Sequence, residues 1–421
     1  VIERCGRAKP TFLIFVSLHR LLWLGVAAVP LFIPNVPLPV RTFAVGIVIF
    51  LSTACANYGS PGWMPWMSGI VPRSVAGAYF GYRSRLGMIS MIVTAMIASF
   101  AIDSLYGTPS THLHASLQHL AAAIHAFGER WVYALIFGVA ALLGITDIFL
   151  FFPVPEIPKP QHEDLPTMRE ILTIPWQDKL FRGFMLYMAL AWIAYNMMGP
   201  FVWRYCYVSK AEHGLGLNIS LMNLYLFTIP LIAQAVVSPF WGQAIDRFKP
   251  KPVLAVSTLS AIIIPIAWVF MRPSWLWLIP VIAILGGLTW PGIDQVTAYM
   301  QLRGFPEKRR SAYNATFLAV LGLATMAGTS LGGALATFWE HHLRWFPYLP
   351  SWVSHYHLLF ATSIVLRLAS FVFILTRLPL PGTAGQREVI TAIATKVAAS
   401  IPEIATQRRR RRKSSTADND R

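Results

Sequence analysis

The sequence predicts an all-α membrane protein made of two duplicated helical bundles, and three observations lead there. Hydrophobic residues make up 55% of the chain and charged residues only 13%, with a mean hydropathy of +0.54, whereas soluble domains carry about 25% charged residues. Apolar runs long enough to cross a bilayer recur ten times. Two stretches also repeat one another. Pro72 is followed by Gly77, Ala78 and Tyr79 in VPRSVAGAY, and Pro306 by Ser311, Ala312 and Tyr313 in FPEKRRSAY. A Pro-Gly pair precedes each, Pro61-Gly62 and Pro291-Gly292, and an acidic-basic pair lies further upstream, Glu3-Arg4 and Asp246-Arg247.

A span needs roughly 20 apolar residues to cross about 30 Å of hydrocarbon. The runs fall near 11–34, 42–66, 86–103 and 131–152, then 181–203, 218–240, 253–271, 276–298, 312–337 and 356–377. Glycine and proline inside several of them are tolerated in bundled membrane helices. These boundaries predict an N-terminal bundle over 1–152 with four spans and a polar, proline-rich linker over 153–180 (FPVPEIPKPQHEDLP at its start). A six-span bundle over 181–378 and a basic tail over 379–421 follow.

The net charge of +17 is explained by membrane orientation rather than by nucleic acid. With residue 1 placed in the cytoplasm, the inner loops hold 17 Lys and Arg and the outer loops 6, and the stretch from 377 onward holds 10 more on the inner side. That bias is the one which sets topology. Cys5, Cys55 and Cys206 are too scattered for a metal site or a disulfide framework. No metal or cofactor is expected. No Walker loop, nucleophile elbow or zinc helix stands in the chain, so it is not read as an enzyme or as an ATP-driven pump. Nine of the eleven histidines, His357 among them, fall on the outer side and read as polar filler of solvated loops.

Two spans precede the acidic-basic loop of the second half, and none precedes that of the first. The spacing therefore predicts a twelve-helix protein of two six-helix halves, ten helices being present here, with the first two lying ahead of Val1. With these marks in hand, the chain resembles the major facilitator superfamily. Gly242, Asp246 and Arg247 match the Gly-x-x-x-Asp-Arg motif of that family in WGQAIDRFKPKP, while Lys249 and Pro250 stand where the family has a glycine and a basic residue. In the first half Glu3, Arg4, Gly6 and Arg7 match the end of the motif. PGWMPWMSGIVPRSVAGAYFGYRSR and SLHRLLWL resemble a subgroup of bacterial permeases, and the resemblance covers about 1–378. It implies the two-bundle fold, a bacterial inner-membrane location, both ends in the cytoplasm, and a gating role for the motif. The other reading of Asp246 is a topology determinant with a helix cap.

Charged residues inside spans are costly and mark function by default. Arg20 and Arg367 each read either as a seat for an anionic solute or as half of a structural ion pair, Arg20 with Asp147. Asp147 and Asp294 read either as proton-coupling carboxylates or as hydrated charges near helix ends. Asn57, Tyr58, Trp63, Trp66, Tyr195, Asn196, Gln234 and Gln295 are candidates for lining a cavity, with helix packing as the alternative. Arg408 to Lys413 suit anionic lipid headgroups, or a solvated tail. The function expected is secondary transport of a small solute by alternating access, with protons as the coupling ion, by a monomer. A non-transporting receptor or sensor on the same fold, or an inactive fragment, is the alternative.

Overall fold

The computed structural model describes residues 9–32, 35–60, 63–72, 76–106, 115–156, 168–306, 310–345, 348–350 and 352–373, with a few isolated positions up to 395. The first copy of the motif (Glu3, Arg4, Gly6, Arg7) and the Arg408–Lys413 run lie outside the described residues. The chain divides into two compact units, Val1–Leu165 and Pro166–Arg421. Among the described residues ten helices are long and apolar enough to cross a membrane.

The first unit holds α1 (Lys9–Phe32), α2 (Leu38–Gly59), α3 (Trp63–Ile70), α4 (Ala76–Tyr106), α5 (Ala115–Phe127) and α6 (Glu129–Leu150). The apolar run expected over 42–66 is thus divided between α2 and α3. Pro61 stands between them, without the N–H a continuing helix needs. The run expected to begin at 86 belongs to a longer helix that already includes Arg83 and Arg85. α1 packs antiparallel to α6. Phe12 meets Phe151, Arg20 lies on Gly144, and Trp23 stacks on Phe137 at 5.7 Å. The partners on α6 are spaced by seven residues, two helical turns, so one face of α6 forms the seam. α1 also packs along α2, where Gly59 admits Phe15 and Val16.

The second unit opens with α7 (Met168–Gln177), a short helix within the polar stretch 153–180, and continues with α8 (Lys179–Tyr207). Asp178 caps α8 by accepting from the Leu180 and Phe181 amides at 2.8 and 3.1 Å, which satisfies two otherwise orphaned donors. Then come α9 (Ile219–Phe248), α10 (Pro250–Val269), α11 (Leu278–Gly304), α12 (Arg310–His342) and α13 (His355–Phe373). α9 carries a π-helical turn at Leu224–Thr228, directly ahead of Pro230, whose missing N–H breaks the regular ladder. α8 packs on α12 and α13, α9 on α11, and α10 on α11 and α13.

Lipid is as apolar as leucine, so packing between these helices rests on close contact rather than on water exclusion. Gly328 and Gly332, one turn apart, set α12 against the backbone of α8 at Ile193 and Met197. One end of this unit is an aromatic cluster in which Phe181 packs on Phe305 and Tyr313 and Phe184 stacks on Phe317. The repeated tyrosines are therefore not equivalent: Tyr313 is 5% exposed in this core, whereas Tyr79 is 44% exposed. Leu378 and Val389, beyond the last span, are buried against the same core.

Candidate functional site

Six polar or aromatic side chains on four helices of the second unit form one group deep within the spans. Arg367 on α13 is 6% exposed. Its Nε donates to Ser363 Oγ at 3.2 Å, its NH1 group to the Ala261 carbonyl at 3.3 Å, and its guanidinium carbon lies 4.4 Å from the Tyr195 ring centroid. Ser363 is itself tied to α8 by donating to the Ala194 carbonyl at 2.7 Å. The cation is thus held by a hydroxyl, a carbonyl and a π face, all neutral. Tyr195 meets Trp290 edge-on at 4.9 Å, and Trp290 stands one turn before Asp294 on the same face of α11. Gln234 on α9 donates to Asp294 Oδ2 at 3.4 Å.

Local sequence explains why these groups can meet. Pro291 removes one N–H from α11. Gly292 lets the Trp241 ring and Ser257 lie against the helix there, and Trp241 Nε1 donates to the Leu288 carbonyl at 2.8 Å. α11 runs on to Gly304, so Asp294 sits ten residues, roughly 15 Å at helical rise, from that end. It is further from the end than the expected boundary at 298 placed it. Asn196 is spent on its own helix, donating to the Trp192 carbonyl at 2.8 Å.

The second motif copy lies where α9 meets α10. Asp246 and Arg247 are exposed, and Arg247 lies 4.9 Å from the Phe248 ring. Within its own unit nothing lies against Gly242. The two helices are joined through Lys249 alone, whose φ is 68° and ψ 169°. A turn between helices asks for positive φ, and a residue before proline is kept out of the α region. Glycine suits both demands, and the family resemblance has glycine here. In this chain a lysine adopts the conformation, between the buried Phe248 and Pro250.

In the first unit Arg20 lies twelve residues into the Lys9–Val29 span. A Cβ on Gly144 would stand 2.6 Å from its Cδ. Its buried Nε has no hydrogen-bond partner. Asp147 is exposed near the end of α6, and no ion pair joins it to Arg20 among the described residues. His19 points the other way, to the Ser52 hydroxyl and carbonyl at 2.7 and 3.0 Å. Asn57 is exposed. Trp63 lies under Arg83 at 4.2 Å. Trp66 is buried and donates to the Pro155 carbonyl at 2.8 Å, where it belongs to a clasp in which Lys9 Nζ donates to the Phe152 and Val154 carbonyls. The clasp gives Trp66 a packing role.

Sequence reasoning missed four features. Trp290, one turn before Asp294, was findable by helical spacing. The Gly328–Gly332 pair was findable as a small-x-x-x-small pattern. Gly144 carries no signal of its own, since only tertiary packing brings it to Arg20. His357 departs from the expectation of solvated filler. It is buried, accepts from the Ser354 amide on Nδ1 at 2.9 Å, and lies 2.8 Å from the Met271 carbonyl and 3.2 Å from the Tyr205 hydroxyl through Nε2.

The architecture defines a polytopic helical membrane protein whose polar groups are gathered inside its spans. A family model described as Major Facilitator Superfamily matches residues 208–413. Over 130 residues the chain is 24% identical to a protein of Cronobacter sakazakii named MdtD, for multidrug resistance. That match covers 30% of the chain and 28% of the relative. It is also 24% identical over 179 residues to a PmrA multi-drug resistance efflux pump homolog of Lactococcus lactis, covering 40% of each. The chain thus spans less than half the length of either relative. The fold is similar to that of the crystallised nucleoside transporter NupG, with a TM-score of 0.57 and 14% identity over 88% of this chain and 83% of that one. Residues 208–413, a little under half of the chain, thus match the major facilitator superfamily, and the fold is of the same two-bundle helical kind.

Proposed function

We propose that this protein is a secondary transporter that moves a small solute by alternating access, with Asp294 as the group that exchanges a proton. The observation that carries the reading is a carboxylate deep in a span whose hydrogen-bond partner, Gln234, and whose neighbour one turn away, Trp290, are both neutral. Neutral partners suit a group that must lose and regain a proton, because neither form meets a fixed countercharge. Arg367, reached through Tyr195 and Trp290, places a permanent positive charge beyond that aromatic bridge, so the protonation of Asp294 changes the local balance of charge. Small organic solutes are what the names of the similar proteins refer to, drugs in two cases and nucleosides in the third. The same reading takes the protein as a monomer of the bacterial inner membrane with both ends cytoplasmic. Asp246 would latch one access state, and Arg408 to Lys413 would rest on anionic headgroups.

The test is uptake into proteoliposomes under an imposed pH gradient, with uridine, ethidium and benzoate as probes. At least one probe should accumulate when the gradient is present, and Asp294→Asn should reduce that accumulation at least ten-fold while exchange of the same probe at equal pH persists. Gradient-driven accumulation that survives Asp294→Asn would remove the carboxylate from the mechanism.

A further inference from the structure

We propose that Arg20 and Gly144 form an oxyanion seat in the first unit, and that the transported solute carries a carboxylate or a phosphate monoester which Arg20 holds. The inference rests on the transport reading for the word "transported", but binding at the seat stands on separate observations. Arg20 is eleven residues beyond the start of its span and nine before its end, roughly 16 and 14 Å at helical rise, near mid-span. It lies in the α1–α6 seam, between the Phe12–Phe151 contact and the Trp23–Phe137 stack. A guanidinium in such a seam is costly unless an anion meets it. None does among the described residues. The nearest carboxylate along α6, Asp147, is exposed and unpaired with it, and Arg20 Nε is buried without a hydrogen-bond partner.

Gly144 gives the arrangement its specificity. The Arg20 stem crosses α6 where a side chain is absent, and a Cβ would meet Cδ at 2.6 Å and Nε at 2.9 Å. The guanidinium is therefore set in one place by packing rather than by a hydrogen-bonded partner. Its planar donors fit two oxygens of one oxyanion, which makes carboxylates and phosphates the fitting ligands. His19, the neighbouring titratable group, is engaged by Ser52 on α2 and does not compete for the anion.

The test is anion-dependent thermal stabilisation of the full chain in detergent, titrated with inorganic phosphate and, separately, benzoate at constant ionic strength. Wild type should be stabilised by at least one probe, and which one distinguishes a phosphate from a carboxylate ligand. Arg20→Gln should raise the concentration giving half the shift at least ten-fold. Gly144→Ala, which keeps the charge but displaces the stem, should raise it several-fold, and Asp147→Asn should preserve the shift. Absence of any shift in wild type, or an equal shift in Arg20→Gln, overturns the proposal. So does a result in which Asp147→Asn and Arg20→Gln lower stability alike without altering the anion response, since that identifies an ion pair. Binding in detergent needs no transport, so failure of the seat and failure of the transport reading are separate outcomes.

Discussion

Replacing Lys249 with glycine should stabilise the protein. At φ 68° and ψ 169° the residue occupies a region that is essentially reserved for glycine, and holding any other residue there costs of order 1–3 kcal/mol. The conformation is imposed from both sides. The Lys249 amide still donates to the Ile245 carbonyl at 2.9 Å, which ends α9, and Pro250 begins α10 with its φ already set. Glycine would relieve the strain but lose more freedom on folding, a cost of about 0.5–1 kcal/mol. The net gain is therefore about 0.5–2 kcal/mol, a rise of a few degrees in unfolding midpoint for a unit of this size. Lys249 is exposed, so Lys249→Ala, which removes the charge and keeps the Cβ, should change the midpoint little. Thermal unfolding of purified wild type and both variants in one detergent reads the difference. A midpoint that is unchanged or lowered by glycine, or raised equally by alanine, would refute the strain argument.

Two further outcomes follow from the geometry. Gly332→Val should drive a side chain into the Met197 carbonyl and the Phe201 ring, parting α8 from α12 at about 1–3 kcal/mol. Gly333→Val has nothing to meet within 4 Å and should be tolerated, so equal thermal stability of the two variants would discount the close approach. Asp246→Asn should slow probe exchange in proteoliposomes several-fold while leaving membrane insertion and folding intact, and unaltered exchange would reduce the motif to a topology signal.

Much of the fold is readable from the residues, and its failures are local. The ten spans are legible because a run of some 20 apolar residues is a property of one segment and its solvent. The breaks are less so. Dividing 42–66 into α2 and α3, or extending the α11 helix past 298, turns on proline placement and on packing that hydropathy does not register. In the candidate site, Arg367, Tyr195, Asp294 and Gln234 are visible as polar or aromatic residues in apolar surroundings. Their grouping around Trp290 is not, because tryptophan is common in membrane proteins and its contacts depend on how α8 and α11 are rotated. The same holds for His357, where a residue type typical of loops is buried by the packing of Tyr205 and Met271 around it.

The amino-acid order alone determines that this chain lives in lipid as α-helices, and that the motif Gly242, Asp246 and Arg247 stands at the end of a span. Each is decided by composition over one helix length or by spacing along the chain. Only the tertiary structure decides which polar groups meet. It sets Arg20 against Gly144 instead of Asp147, joins Asp294 to Gln234, and makes Lys249 take a glycine's conformation. Helix rotation and crossing are properties of pairs of segments, and the closest contacts form where a side chain is missing, which no local pattern around the partner residue announces.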